Sequence, residues 1–138
     1  MTDRVRDAMI PDPAALDASA TAQETGEHLV QPDVRAVYVS DGERFVGVVT
    51  RKTLVEKVVA AGRDPRSTPV GELAEAPNWT VDPELPLDEA FGLLEEWDAE
   101  RVPVVDGGRL VGVLSRSVLQ RRLAEDEAPA ELEPQQQV

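Results

Sequence analysis

Apolar positions along the chain alternate between two periods, and the switch marks the elements. Leu87, Ala90, Phe91 and Leu94 recur at i, i+3, i+4 and i+7, one face of a helix. Val102 to Val105 then reads as a short β-branched strand. Asp106-Gly107-Gly108 supplies a positive-φ turn, and Leu110 to Leu114 returns as a second strand, a β-hairpin. Ser115 stands at an N-cap position before a helix that carries Val118, Leu119 and Leu123 on one face. The unit predicted is strand, helix, strand, strand, helix.

The same pattern occurs earlier. Val37-Tyr38-Val39-Ser40-Asp41-Gly42-Glu43-Arg44-Phe45-Val46-Gly47-Val48-Val49-Thr50-Arg51 aligns without a gap on the run from Val102 to Arg116. The offset is constant, 112 − 47 = 65, and it also pairs Val5 with Val70, Leu16 with Val81, Asp33 with Asp98 and Leu54 with Leu119. Such self-similarity marks a repeat architecture. The first copy therefore predicts a strand near Leu16, a helix about 20–30, strands at 36–40 and 44–49, and a helix from the Thr50 cap to about Ala61. Thr25 and Gly26 replace Ala90 and Phe91 in its first helix, and glycine costs about 1 kcal/mol in a helix interior, so packing must hold that helix. Residues 62–69, polar and broken by Pro65 and Pro69, read as a surface linker. The expected organisation is repeat 1 over 1–61, the linker over 62–69, repeat 2 over 70–124, and a disordered acidic tail over 125–138, where Glu125, Asp126, Glu127, Glu131 and Glu133 mix with prolines and glutamines.

The fold class expected is α/β (α+β). In this 138-residue chain no apolar run approaches the roughly 18 residues needed to span a bilayer, so membrane insertion is not expected and a cytoplasmic location is. The absence of cysteine excludes disulfides and thiolate chemistry. A net charge of −13 repels a phosphate backbone, which makes nucleic acid a poor partner. His28 is the single histidine, no second ligand lies at metal spacing, and no Gly-rich phosphate loop or Ser/His/Asp set can be assembled. The chain is not expected to be an enzyme, and no metal site is expected.

The apolar strand, Asp-Gly turn, Gly-apolar-apolar-Thr/Ser and helix, present twice as Gly47-Val48-Val49-Thr50 and Gly112-Val113-Leu114-Ser115, resemble the cystathionine-β-synthase-type (CBS) domain. The resemblance runs from about Val5 to Leu123, and Val5-Arg6-Asp7-Ala8-Met9 is similar to the family's leading segment. It implies two β-α-β-β-α repeats related by a pseudo-two-fold axis and packed through their sheets. It also implies two clefts that in many members hold adenosine-type ligands, and frequent homodimers. In nucleotide-binding members the residue three places after the Thr/Ser is typically an aspartate that accepts from both ribose hydroxyls. Here those positions are Thr53 and Val118; threonine keeps one hydroxyl and valine offers no polar atom.

The phosphate side retains candidates. Thr50 and Ser115 place a hydroxyl at a helix start, where free N–H groups favour an anion, with Arg51 and Arg116 beside them; the alternative is plain capping with solvated arginines. Arg101, like Arg35, precedes an inner strand and meets either a phosphate or a neighbouring carboxylate. Asn78-Trp79-Thr80-Val81 is expected to line the second cleft, with Trp79 stacking on a purine or covering core. Trp97 is assigned to packing. The function expected is a stand-alone regulatory module sensing AMP, ADP, ATP, S-adenosylmethionine or a related anion. The alternative is a ligand-free dimerisation or docking module acting on an unidentified partner protein.

Overall fold

The computed structural model describes residues 3–11, 13 and 15–127. In the first repeat, strand β2 (Ala15–Asp17) is followed by helix α2 (Ala22–Leu29), the hairpin β3 (Val37–Asp41) and β4 (Arg44–Val49), and helix α3 (Arg51–Leu54), which widens into a π-helical turn over Val55–Val59. The second repeat has helix α4 (Leu87–Trp97), the hairpin β5 (Arg101–Asp106) and β6 (Arg109–Ser115), and helix α5 (Arg116–Glu127). Each repeat is preceded by a short leading segment: helix α1 (Val5–Ala8) and strand β1 (Ile10–Pro11) before the first, a 3₁₀ turn over Val70–Glu72 before the second.

The hairpins close where the Asp-Gly pattern placed them. Gly42, Gly107 and Gly108 take φ of 64°, 59° and 84°, values costly for residues with a Cβ. The weak first helix is held by a capping box, in which Thr21 Oγ1 accepts from the Glu24 N–H and Glu24 reaches back to the Thr21 N–H. Gly26 faces Leu54, where a Cβ would stand 3.8 Å from Leu54 Cδ1. The helix after Thr50 is not α-helical to Ala61: the N–H of Ala60 bonds five residues back to Val55, and Gly62 turns the chain away at φ 71°. Helix α5 runs through Glu127, so the first residues of the expected tail are helical; extending a formed helix costs far less than nucleating one. The rest of that tail lies outside the described residues.

The leading segments are exchanged. β1 pairs antiparallel with β6 of the other repeat, Ile10 opposite Val113, and Glu75 pairs antiparallel with β4, opposite Val48. Both Ile10/Glu75 and Val48/Val113 are 65 apart, so the two pairings are images of each other. The same symmetry relates the Leu16–Val39 pair to the Val81–Val104 bridge and the Thr21–Pro69 bridge to the Arg4–Pro86 bridge. It also reaches the helix starts, because the Ala22 N–H donates to Thr68 O and the Leu87 N–H to Asp3 O. Residues 62–69 thus hold the first helix as well as linking the repeats; the Gln23 N–H donates to Pro65 O, and Thr68 is buried.

Two cores result, and neither belongs to one stretch of sequence. Val5 packs with Leu87, Leu94, Val102, Val104, Leu114 and Leu119 of the second repeat. Val70 and Leu73 pack with Ala22, Leu29, Val39 and Val49 of the first. The two three-stranded sheets, β2-β3-β4 and β1-β6-β5, meet along β4 and β6, where the Phe45 N–H donates to Gly108 O at 2.8 Å and Arg109 pairs with Glu43 at 3.3 Å. Among the described residues no helix is long and apolar enough to cross a membrane.

The exchange accounts for the glycine in each Gly-apolar-apolar-Thr/Ser run. A Cβ on Gly47 would lie 2.6 Å from the Glu75 carbonyl oxygen, and one on Gly112 would lie 2.9 Å from the Ile10 carbonyl oxygen. Gly92, on the exposed side of α4, has nothing within 4 Å of its own. Gly47→Ala is therefore expected to destabilise by about 1–3 kcal/mol in urea unfolding, whereas Gly92→Ala raises stability by about 0.5–1 kcal/mol. Equal effects at both positions would contradict the close approach.

Candidate functional site

Crossing of the second leading segment over β4 builds a polar depression of about 290 Å³, lined by Val48, Thr50, Thr53, Glu75, Ala76, Pro77 and Asn78. That volume falls just below the roughly 300–1,000 Å³ typical of small-molecule sites. Strand β4 ends at Val49, and the extended Thr50 caps α3. The Thr50 N–H donates to Thr53 Oγ1 at 3.0 Å, the Thr53 N–H to Thr50 Oγ1 at 3.3 Å, and the two hydroxyls are 3.1 Å apart. This reciprocal pair is a capping box made with threonine in place of Glu or Gln.

Thr53 is buried, and its hydroxyl donates to Glu75 Oε1 at 3.1 Å. The other oxygen of Glu75 lies 3.6 Å from Lys57 Nζ, which also donates to Leu73 O at 3.3 Å. In the second repeat Arg122 takes the place of Lys57 and likewise reaches back to a leading segment, donating to Asp7 O at 2.8 Å and to Asp3 Oδ2 at 3.1 Å. Each closing helix thus ties down the segment lent to its own repeat's sheet.

Of the residues singled out from sequence, Thr50 and Thr53 meet in this cleft. Arg51 does not line it; its guanidinium donates to Gln31 O at 2.8 Å, at the end of α2. Arg116 faces the carboxylates Asp98 and Glu100, at 3.4 and 3.9 Å. Arg101 is exposed and close enough to Tyr38 to oppose the effect of burial, which pushes the Tyr38 phenol above its ordinary value. The Asp17 carboxyl is held below its usual range by the Ser19 hydroxyl and N–H, outside the cleft.

The stretch expected to line the second cleft divides between several environments. Asn78 lines the first cleft, Thr80 is exposed, and Val81 is buried beside Val104. Trp79 stacks on Trp97, with centroids 5.1 Å apart and planes within 6°, a pairing the separate reading of each tryptophan did not anticipate. Ser115 is buried with its hydroxyl 3.1 Å from that of Ser117. Val118 lines a separate depression with Arg121, Arg122 and Glu125.

Glu75 was missed by sequence reasoning. Its only sequence signal was indirect: glycine inside a strand marks close approach of another backbone, but Gly47 does not say whose. At the counterparts of Thr53, Glu75 and Asn78 the second repeat has Val118, Ile10 and Pro13, so these three polar positions are apolar there. Among the described residues no group of three His, Cys, Asp or Glu side chains could hold a metal ion.

Comparison with known proteins agrees with this architecture. The sequence model of the CBS domain matches residues 5–60 and 70–125. Hypoxic response protein 1 of Mycobacterium tuberculosis is 35% identical over 108 residues, 78% of this chain and 73% of that protein. The crystal structure of Hypoxic Response Protein I with two coordinated zinc ions superposes with a TM-score of 0.73 at 28% identity, covering 86% of this chain and 98% of the other. CBSX2 in complex with AMP gives 0.71 at 27% identity, covering 91% and 98%. A hexameric CBS-CP12 protein from bloom-forming cyanobacteria gives 0.63 at 25% identity, covering 98% and 81%.

The buried Thr53 hydroxyl serves Thr50 and Glu75 together, and valine has nearly its shape. Thr53→Val leaves the Thr50 N–H without its partner and is expected to cost about 1–2 kcal/mol, measured by urea unfolding. A variant as stable as the parent would mean that the Thr53 hydroxyl contributes nothing.

Proposed function

The chain belongs to the CBS-domain family, and from that premise we propose that it is a cytoplasmic regulatory module sensing an adenine nucleotide in its first inter-repeat cleft. The observation that carries this reading is the polar depression built by Thr50 and Thr53 of one repeat with Glu75 and Asn78 from the leading segment of the other. A ligand seated there touches both halves, so its occupancy favours one packing of the repeats over another, as a sensor requires. The AMP complex of CBSX2, a structural relative over most of the chain, supports adenine as the base. Thr50 and Thr53 are the contacts retained from the sequence. Arg51 and Arg116, held by Gln31 and by Asp98 and Glu100, reach a phosphate only by leaving those partners.

A ligand at about 100-fold its dissociation constant adds about 2.7 kcal/mol to stability, several degrees in Tm for a domain of this size. Thermal unfolding with AMP, ADP, ATP, S-adenosylmethionine and cyclic dinucleotides is expected to give such a shift with at least one adenine nucleotide. No shift with any of them would favour the second reading, a ligand-free dimerisation or docking module.

Dimerisation has support of its own under either reading. Val30 just after α2 and Val55 and Val59 after α3 are 79%, 57% and 73% exposed, beside an apolar depression lined by Gly26, Leu29, Val30, Arg51, Leu54 and Val55. Their counterparts in the second repeat are Glu95, Gln120 and Ala124, so the apolar seam belongs to one lobe. A second copy is the proposed occupant. A two-fold mate would set this one-lobed apolar seam against its own copy, as an isologous interface requires. Val59→Glu is expected to convert the dimer to a monomer in sedimentation velocity while its unfolding midpoint stays near that of the parent. Unchanged sedimentation would remove this seam as the interface.

A further inference from the structure

We propose that Glu75 is the hydrogen-bond acceptor for a vicinal diol in the first cleft, and that the diol's carrier is a ribose. The inference deepens, and rests on, the reading of that cleft as a nucleotide site.

Within the depression the acceptors are the Glu75 carboxylate, the Thr50 and Thr53 hydroxyls and the Asn78 side-chain amide. A carboxylate offers about four lone-pair sites. Thr53 occupies one on Oε1, and Lys57 approaches Oε2 at 3.6 Å. The Glu75 side chain lines the depression and is 58% exposed, so its remaining sites are open to a ligand. Two hydroxyls on adjacent carbons can donate to the two oxygens of one carboxylate, and hydrogen bonds to an ionised acceptor are the stronger kind.

Charge sorts the ligand's ends. A phosphate beside Glu75 meets a like charge, and among the described residues the one cation in contact with that carboxylate, Lys57, is shared with Leu73 O. The cleft therefore takes the neutral, donor-rich part of the ligand at Glu75 and leaves the anionic part toward solvent.

Thr53 positions this carboxylate; it does not replace it. A buried hydroxyl at 3.1 Å fixes one oxygen of Glu75, and the backbone of Glu75 is itself fixed by two bonds with Val48, N–H to O at 3.0 Å and O to N–H at 2.9 Å. The acceptor thus sits on the segment lent by the other repeat. In the symmetric cleft the same place on the exchanged strand holds Ile10, so that cleft cannot bind a diol in this way.

The test compares AMP with 2′-deoxy-AMP by isothermal titration calorimetry on the full chain, because the two share base and phosphate and differ in the diol. The parent is expected to prefer AMP by about tenfold. Glu75→Ala should lower AMP affinity by about tenfold, leave 2′-deoxy-AMP nearly unchanged and abolish the preference. Adding Thr53→Asp to Glu75→Ala moves a carboxylate across the cleft and should restore the preference. Parent and Glu75→Ala proteins that bind AMP equally well, with the same preference, would overturn the role of Glu75 and leave the nucleotide site standing. A parent that binds neither nucleotide would overturn both.

Discussion

The reciprocal exchange of leading segments is the constraint on which the rest of this structure depends. Each repeat alone lacks an edge strand for its sheet, part of its core and a carbonyl for the first turn of its helix. Ile10 against Val113 and Glu75 against Val48 supply the edges; Val5 and the pair Val70 and Leu73 complete the cores; Asp3 and Thr68 accept from the helix starts. An unpaired sheet edge and unsatisfied helix N–H groups are costly when buried, so the two halves stabilise each other through the same few residues. Folding of one half without the other would leave both costs unmet.

The exchange also generates the site. A polar depression arises where a borrowed segment crosses β4 beside the start of α3, and its walls come from opposite halves of the chain. Thr50 and Thr53 reach it from the first repeat, Glu75 and Asn78 from the segment before the second. Any molecule seated there would touch both halves at once. The backbone of Gly47 is bare because the borrowed segment lies against it, so the glycine of the repeated motif is a packing requirement.

Identical topology has not produced identical clefts. The 65-residue offset relates Thr53 to Val118, Glu75 to Ile10 and Asn78 to Pro13, turning acceptors into apolar groups. On the helical side the asymmetry runs the other way, with Val30, Val55 and Val59 in the first repeat where the second has Glu95, Gln120 and Ala124. Duplication fixed the frame, and divergence has concentrated both the polar cleft and the exposed apolar seam in one lobe.

By itself the sequence determined the repeat, the order of its elements and both hairpins, because these depend on local period and on positive-φ turns. Leu87 to Leu94 needed only the helical period, and Asp41-Gly42 and Asp106-Gly107-Gly108 only their turn chemistry. Thr50 at a helix start was legible for the same reason, since a cap acts within one turn of chain. The exchange partners, the turning of Arg51 toward Gln31, the Trp79–Trp97 stack and the placing of Glu75 beside Thr53 were decided only by tertiary structure. Each joins residues far apart in sequence or set by the path of the backbone between them, and no periodicity reports which strand will lie across a bare glycine.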